Sequence, residues 1–138
     1  MRAQTSGAIN VTATVLSALS VTGTNLAFGN VAPTQTKTVS AATGGTFTVS
    51  GAASAPVAVL FTLPTTMGAN VAVGTWTGLS NTLNNSGTAA ALTVSATPQS
   101  LAIGAGGNLY VWVGATLTTT AATPGSYSAP VTLTVVYN

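Results

Sequence analysis

From Tyr127 to Tyr137 every odd position is apolar or aromatic (Tyr127, Ala129, Val131, Leu133, Val135, Tyr137), while the even positions are mostly Ser, Thr and Pro. A period of two over that span is the signature of a long β-strand with one buried face. No turn follows it, so the partner for its far side has to come from elsewhere, because a strand of that length is not left half covered. A second run of the same kind opens the chain. Over residues 7–21, Ile9, Val11, Ala13, Val15, Leu19 and Val21 share a face, with Ser17 as the exception. It is too long for one ordinary strand and is expected to break near residues 16–18 into two functional halves.

Nothing between these runs has helical periodicity, and the Thr, Val, Gly and Ser content disfavours helix throughout. Expected strands cover residues 26–28, 35–40 and a segment carrying Phe47 and Val49. Further ones cover residues 71–79 with Trp76, 91–96, 100–103 and 109–118, where Leu109, Val111, Val113, Ala115 and Leu117 share a face. The nearly continuous apolar run at residues 56–63, closed by Pro64, reads as a central strand buried on both faces. With Gly- and Pro-bearing turns between them, about nine strands at this spacing predict a β-sandwich.

The chain has no Asp, Glu, His or Cys among its 138 residues. General acid–base pairs, activated nucleophiles and zinc or calcium cages each need at least one of these, so neither an enzyme nor a metal or cofactor site is expected. Arg2 and Lys37 are the only charged side chains. Two isolated cations cannot neutralise the several phosphates that nucleic-acid binding requires. The longest apolar run, residues 55–61, is about seven residues where a membrane-spanning helix needs about twenty. At 1% charged residues there is little repulsion between copies, which suits a protein that assembles and an extracellular setting in which Ser and Thr hydroxyls do the solvating. No apolar signal segment follows Met1, so a leader is expected to have been removed or the first residue not to be the native start.

Local motifs are bland beside this. Gly104-Ala105-Gly106-Gly107-Asn108 has neither a Lys nor a helix after it and reads as a hairpin turn. Trp76, Tyr110 and Trp112 are candidates for stacking on sugar rings, Tyr110 and Trp112 lying opposite the aliphatic face of their strand. Thr-x-Thr recurs at irregular intervals, which fits solvent-facing strand positions and not a regular ice-binding array. A Lys37–Asn crosslink lacks the carboxylate that such bonds use, and Asn10-Val11-Thr12 and Asn84-Asn85-Ser86 match the short glycosylation sequon.

Gly125, the alternating strand through Val131, Leu133 and Val135, and the penultimate Tyr137 resemble the C-terminal motif of chaperone–usher pilins. The opening Gly7-Ala8-Ile9-Asn10-Val11-Thr12-Ala13-Thr14-Val15 is similar to the donor extension of those pilins, in particular the archaic, spore-coat-like group. Phe28-Gly29-Asn30-Val31-Ala32-Pro33 resembles an element of related secreted bacterial domains. The disulfide that many pilins carry is absent.

The resemblance implies an immunoglobulin-like β-sandwich that is incomplete and is completed by a strand from a neighbouring subunit. Residues 1–16 would be the donor extension and 17–138 the domain. Ile9, Val11, Ala13 and Val15 of one copy would enter a groove bordered by Tyr127, Val131, Leu133, Val135 and Tyr137 of another. Head-to-tail donation does not close on itself and builds a filament. The expected function is therefore a structural subunit of a secreted, cell-surface fibre. Its partners would be further copies of itself, with an assembly chaperone and an outer-membrane usher. The alternative is a monomeric secreted carbohydrate-binding or adhesin module with a self-contained sandwich.

Overall fold

A computed structural model describes residues 3–138. Among the described residues there are ten strands: β1 (Ser20–Thr24), β2 (Gln35–Val39), β3 (Gly45–Ser50), β4 (Pro56–Thr62), β5 (Thr66–Gly68), β6 (Val71–Asn81), β7 (Ala90–Leu92), β8 (Gln99–Ala102), β9 (Asn108–Thr119) and β10 (Thr132–Tyr137). Two single 3₁₀ turns, Ala41–Thr43 and Ser86–Thr88, complete the elements. All pairings are antiparallel, and they form two sheets, as an all-β sandwich requires.

β9 is the spine of the larger sheet. One of its edges is shared by β3, paired at Val49↔Leu109 and Phe47↔Val111, and by β2, paired at Lys37↔Leu117; β6 lies along the other edge. β1 extends the sheet beyond β3, while β5 and β7 share the far edge of β6. The smaller sheet runs β10-β4-β8, with Leu133↔Phe61, Val135↔Val59 and Tyr137↔Val57 in register.

The inward positions of β9 serve two cores. Leu109, Val111 and Val113 meet Val57, Val59 and Phe61 of β4, Leu133 of β10, Val49 and Ile103 in the main core. Phe47 and Phe61 close this layer edge to face, with ring centroids 6.4 Å apart. Farther along β9, Ala115 and Leu117 join Val71, Val73, Phe28 and Ala122 in a second cluster. No residue of the smaller sheet belongs to that cluster, so its cover is loop rather than strand.

Several boundaries differ from the sequence expectations. The opening run is no strand before Ser20: residues 3–16 are exposed and without regular structure, because a strand needs a ladder partner and this segment has none. Residues 26–28 form no strand, and Phe28 is buried as part of a loop. The final alternating run pairs with β4 only from Thr132 onward, although Tyr127, Ala129 and Val131 keep the inward-facing pattern. β4 is central in its sheet but buried on one face: Val57, Val59 and Phe61 are buried, whereas Ala58 and Leu60 are half-buried.

β6 contains a bulge. Its register on β9 slips between Gly74 and Thr77, and Thr75 takes a positive φ of 50°. One extra residue reverses which parity points inward. Val71 and Val73 face the core before the bulge, and Trp76, Gly78 and Ser80 follow after it, with Trp76 touching both clusters.

On the outer face of β9, the main chain from Val39 to Ala41 crosses directly over Gly114, where any Cβ would overlap the Val39 carbonyl oxygen and the Ala41 nitrogen. The obstacle is backbone on both sides and cannot yield by a rotamer change. Gly114→Ala is therefore expected to cost about 2–4 kcal/mol through displacement of that crossing. Thermal unfolding checks this, and a melting temperature unchanged from wild type contradicts the assignment.

Candidate functional site

A groove of about 910 Å³ opens over the second cluster. Its floor is Phe47 of β3, Val71, Val73 and Trp76 of β6, and Leu117 of β9, with Met67 of β5 beside them. One wall is residues 23–33, which continue from β1, and the other is residues 122–131, which lead into β10. The groove thus lies between the edge of the larger sheet and the approach to the edge strand of the smaller one.

Both walls carry unused backbone. Among the described residues, 25–31 and 124–131 enter no backbone–backbone hydrogen bond. The bonds that fix the walls sit at their ends. Ala122 N–H donates to the Pro33 carbonyl at 2.9 Å, and the Thr119 hydroxyl donates to the Ala32 carbonyl at 2.7 Å. The Tyr127 hydroxyl donates to the Thr123 carbonyl, and its ring lies against Gly68, where a Cβ would collide with it. Gly68 has φ +155°, so this close approach and its backbone both call for glycine.

The groove is thus a trough with an apolar floor whose walls, residues 25–31 and 124–131, leave backbone donors and acceptors without backbone partners. Among the described residues no charged side chain lines it, and the Lys37 ammonium donates to the carbonyl of Asn30 in one wall at 3.3 Å.

The side chains named from the sequence separate into groups. Tyr127 and Val131 line the groove. Leu133, Val135 and Tyr137 do not: they lie in or against the main core, because β10 is already paired to β4 over that length. Tyr137 has a different task, since its hydroxyl accepts from Ala52 N–H at 2.8 Å and donates to the Ser17 carbonyl at 2.6 Å, anchoring the chain just where the exposed arm ends. On that arm Ile9, Val11 and Val15 are 90%, 94% and 93% exposed, and Ala13 is exposed as well.

Of the three aromatic residues considered for sugar stacking, Trp112 is only 5% exposed and is stacked on half-buried Tyr110, with centroids 6.2 Å apart. That pair is therefore packed and not an open platform. Trp76 lies apart from them, half-buried in the groove floor. Phe28, Phe47 and Met67 are groove residues that the sequence reading did not single out as site residues; the Phe28-Gly29 turn and the Gly74 interruption of β6 were the available signals.

Among the described residues no helix is long and apolar enough to cross a membrane. Comparison with curated proteins and with solved structures returns no match. A family profile does match, over residues 19–137, beginning at Leu19, the half-buried side chain with which the chain first packs against the main core. The chain belongs to the family described as a domain of unknown function (DUF4402).

Proposed function

We propose that this chain is a structural subunit of an extracellular filament, joined head to tail by an N-terminal arm that fills the groove of the next copy. The observation that carries the reading is the pairing of a groove with an apolar floor, whose walls at residues 25–31 and 124–131 make no backbone–backbone hydrogen bond, with an exposed arm of alternating apolar residues. Each supplies what the other lacks. Ile9, Val11 and Val15 would each gain about 1.5–3 kcal/mol on leaving water. Each new ladder bond would add about 0.5–1.5 kcal/mol net. That sum has to exceed an association cost of roughly 4–15 kcal/mol, which a joint of this length can do.

Strand addition at a sheet edge is an established mode of recognition, with backbone bonds giving affinity and alternate side chains giving specificity. Because donor and acceptor lie on different surfaces of one subunit, the contact is heterologous and propagates. The resemblance to archaic chaperone–usher pilins supports the same reading. It also supplies the proposed partners, an assembly chaperone that covers the groove before assembly and an outer-membrane usher, and the proposed cell-surface location. The carbohydrate-binding alternative retains Trp76 alone of its three aromatic residues.

The full chain at micromolar concentration is expected to form extended fibres visible by negative-stain electron microscopy, with light scattering that rises with time and concentration. A chain that remains a monomer at every concentration overturns the proposal.

A further inference from the structure

We propose that the groove is reserved for the arm of a second copy, because the root of the arm, residues 16–19, bars a chain from filling its own groove. The inference rests on reading the groove as a strand acceptor and identifies which arm it accepts.

Length does not impose the bar. At about 3.3 Å per residue, the extended arm over residues 3–16 spans roughly 45 Å, whereas the run from Tyr137 back to Tyr127 spans about 33 Å. The Ser17 carbonyl is tied to the Tyr137 hydroxyl, so the arm departs at the far end of β10 from the groove wall. To enter its own groove the arm must double back beside β1, making a hairpin whose reversal falls at Leu16-Ser17-Ala18-Leu19.

That reversal is opposed three times over. Tight hairpin loops need residues at ease with positive φ, chiefly Gly, Asn or Asp, and this tetrapeptide contains none. No residue there adopts a positive φ. Both sides of the required turn are also fixed: Ser17 by Tyr137, which Ala52 holds in turn, and Leu19 by packing beside Gly51 and the main core. Accordingly the arm stands exposed while a groove of suitable chemistry lies open on the same molecule. An arm arriving from another copy needs no such turn.

The test installs the missing turn. The double variant Ser17→Asn, Ala18→Gly keeps every apolar arm residue and supplies an Asn-Gly reversal; a second variant inserts Asn-Gly between Ser17 and Ala18 and leaves both residues in place. Dilute monomers of each are subjected to limited proteolysis with a non-specific protease, and assembly is followed by light scattering. Cleavage of the arm is expected to slow by about tenfold or more in the turn variants relative to wild type, since cutting follows the open population. Their assembly rate is expected to fall by a similar factor.

Arms cut at the wild-type rate in both folded variants overturn the inference, as does a wild-type monomer whose arm is already protected. Failure of the filament reading looks different: the wild-type arm is cut freely, the turn variants protect it, and no chain assembles. That pattern removes the filament and leaves the barred self-pairing in place.

Discussion

Removal of residues 1–16 is expected to abolish assembly, leave the remaining domain folded, and turn it into a terminator of wild-type growth. Ile9, Val11 and Val15 are at least 90% exposed, so cutting them away removes almost no native contact. Far-ultraviolet circular dichroism and the melting temperature should match those of the full-length monomer. What is lost is the donor. Each joint forfeits about three large apolar side chains at roughly 1.5–3 kcal/mol each, together with their ladder bonds, which exceeds a hundredfold in affinity.

The truncated copy keeps its groove intact and can still accept an arm. Having accepted one, it offers none, and the filament stops at that end. Substoichiometric truncated chain should therefore shorten wild-type fibres in proportion to its mole fraction, read as a length distribution by electron microscopy. Fibres of normal length from the truncated chain alone would contradict the arm-in-groove joint.

This test exploits a division of the chain that alternation makes partly legible. Period two identified β9 and β10, because an apolar residue at every second position leaves only one way to bury them, whereas β4 was legible as a continuous apolar run that concealed its single buried face. It also marked Ile9, Val11, Ala13 and Val15 as one face. Alternation says which side of a strand turns inward and nothing about what covers it. Leu133, Val135 and Tyr137 were therefore assigned to the groove with Tyr127 and Val131, although β10 pairs with β4 over the first three and only Tyr127 and Val131, which precede that pairing, line the groove.

The bulge at Thr75 was hidden for a related reason. Its cause is the fit of β6 against β9, a non-local pairing, and only Gly74 hinted at it locally. Trp76 consequently faces the groove at an even position while Val71 and Val73 face inward at odd ones. The groove walls are marked by backbone–backbone hydrogen bonds that residues 25–31 and 124–131 do not make, and no composition or period encodes an unmade bond. Trp112 shows the converse, because its outward position on β9 suggested exposure and it is nonetheless 5% exposed and stacked on Tyr110.

Replacing Val11 by Asp should make assembly depend on pH in a chain whose own side chains give it no such dependence between about pH 4 and 9. The wild type has no Asp, Glu or His, so no side-chain titration in that range links to the joint. A carboxyl at position 11 is free in water while the arm is exposed, with a value of about 3.9. Seated in the groove it would leave water for the neighbourhood of side chains such as Trp76, Val73 and Leu117, and that burial would raise its value. The group is thus held neutral more readily in the joint than in solution. Its penalty is absent below about pH 4, where both states are protonated, and grows as pH rises from the free value toward the raised one. At neutral pH a buried, unpaired carboxylate costs at least about 2–5 kcal/mol, a loss of roughly thirtyfold to several thousandfold in affinity. Light scattering across pH should show the Asp variant assembling at pH 3.5 about as well as the isosteric Val11→Asn and little at pH 7. Val11→Asn, of similar size and without a titrating group, should be weakened about equally at both. Wild-type assembly of the Asp variant at pH 7 would place position 11 outside the joint, and equal loss at both pH values would mean that the change acts through shape rather than charge.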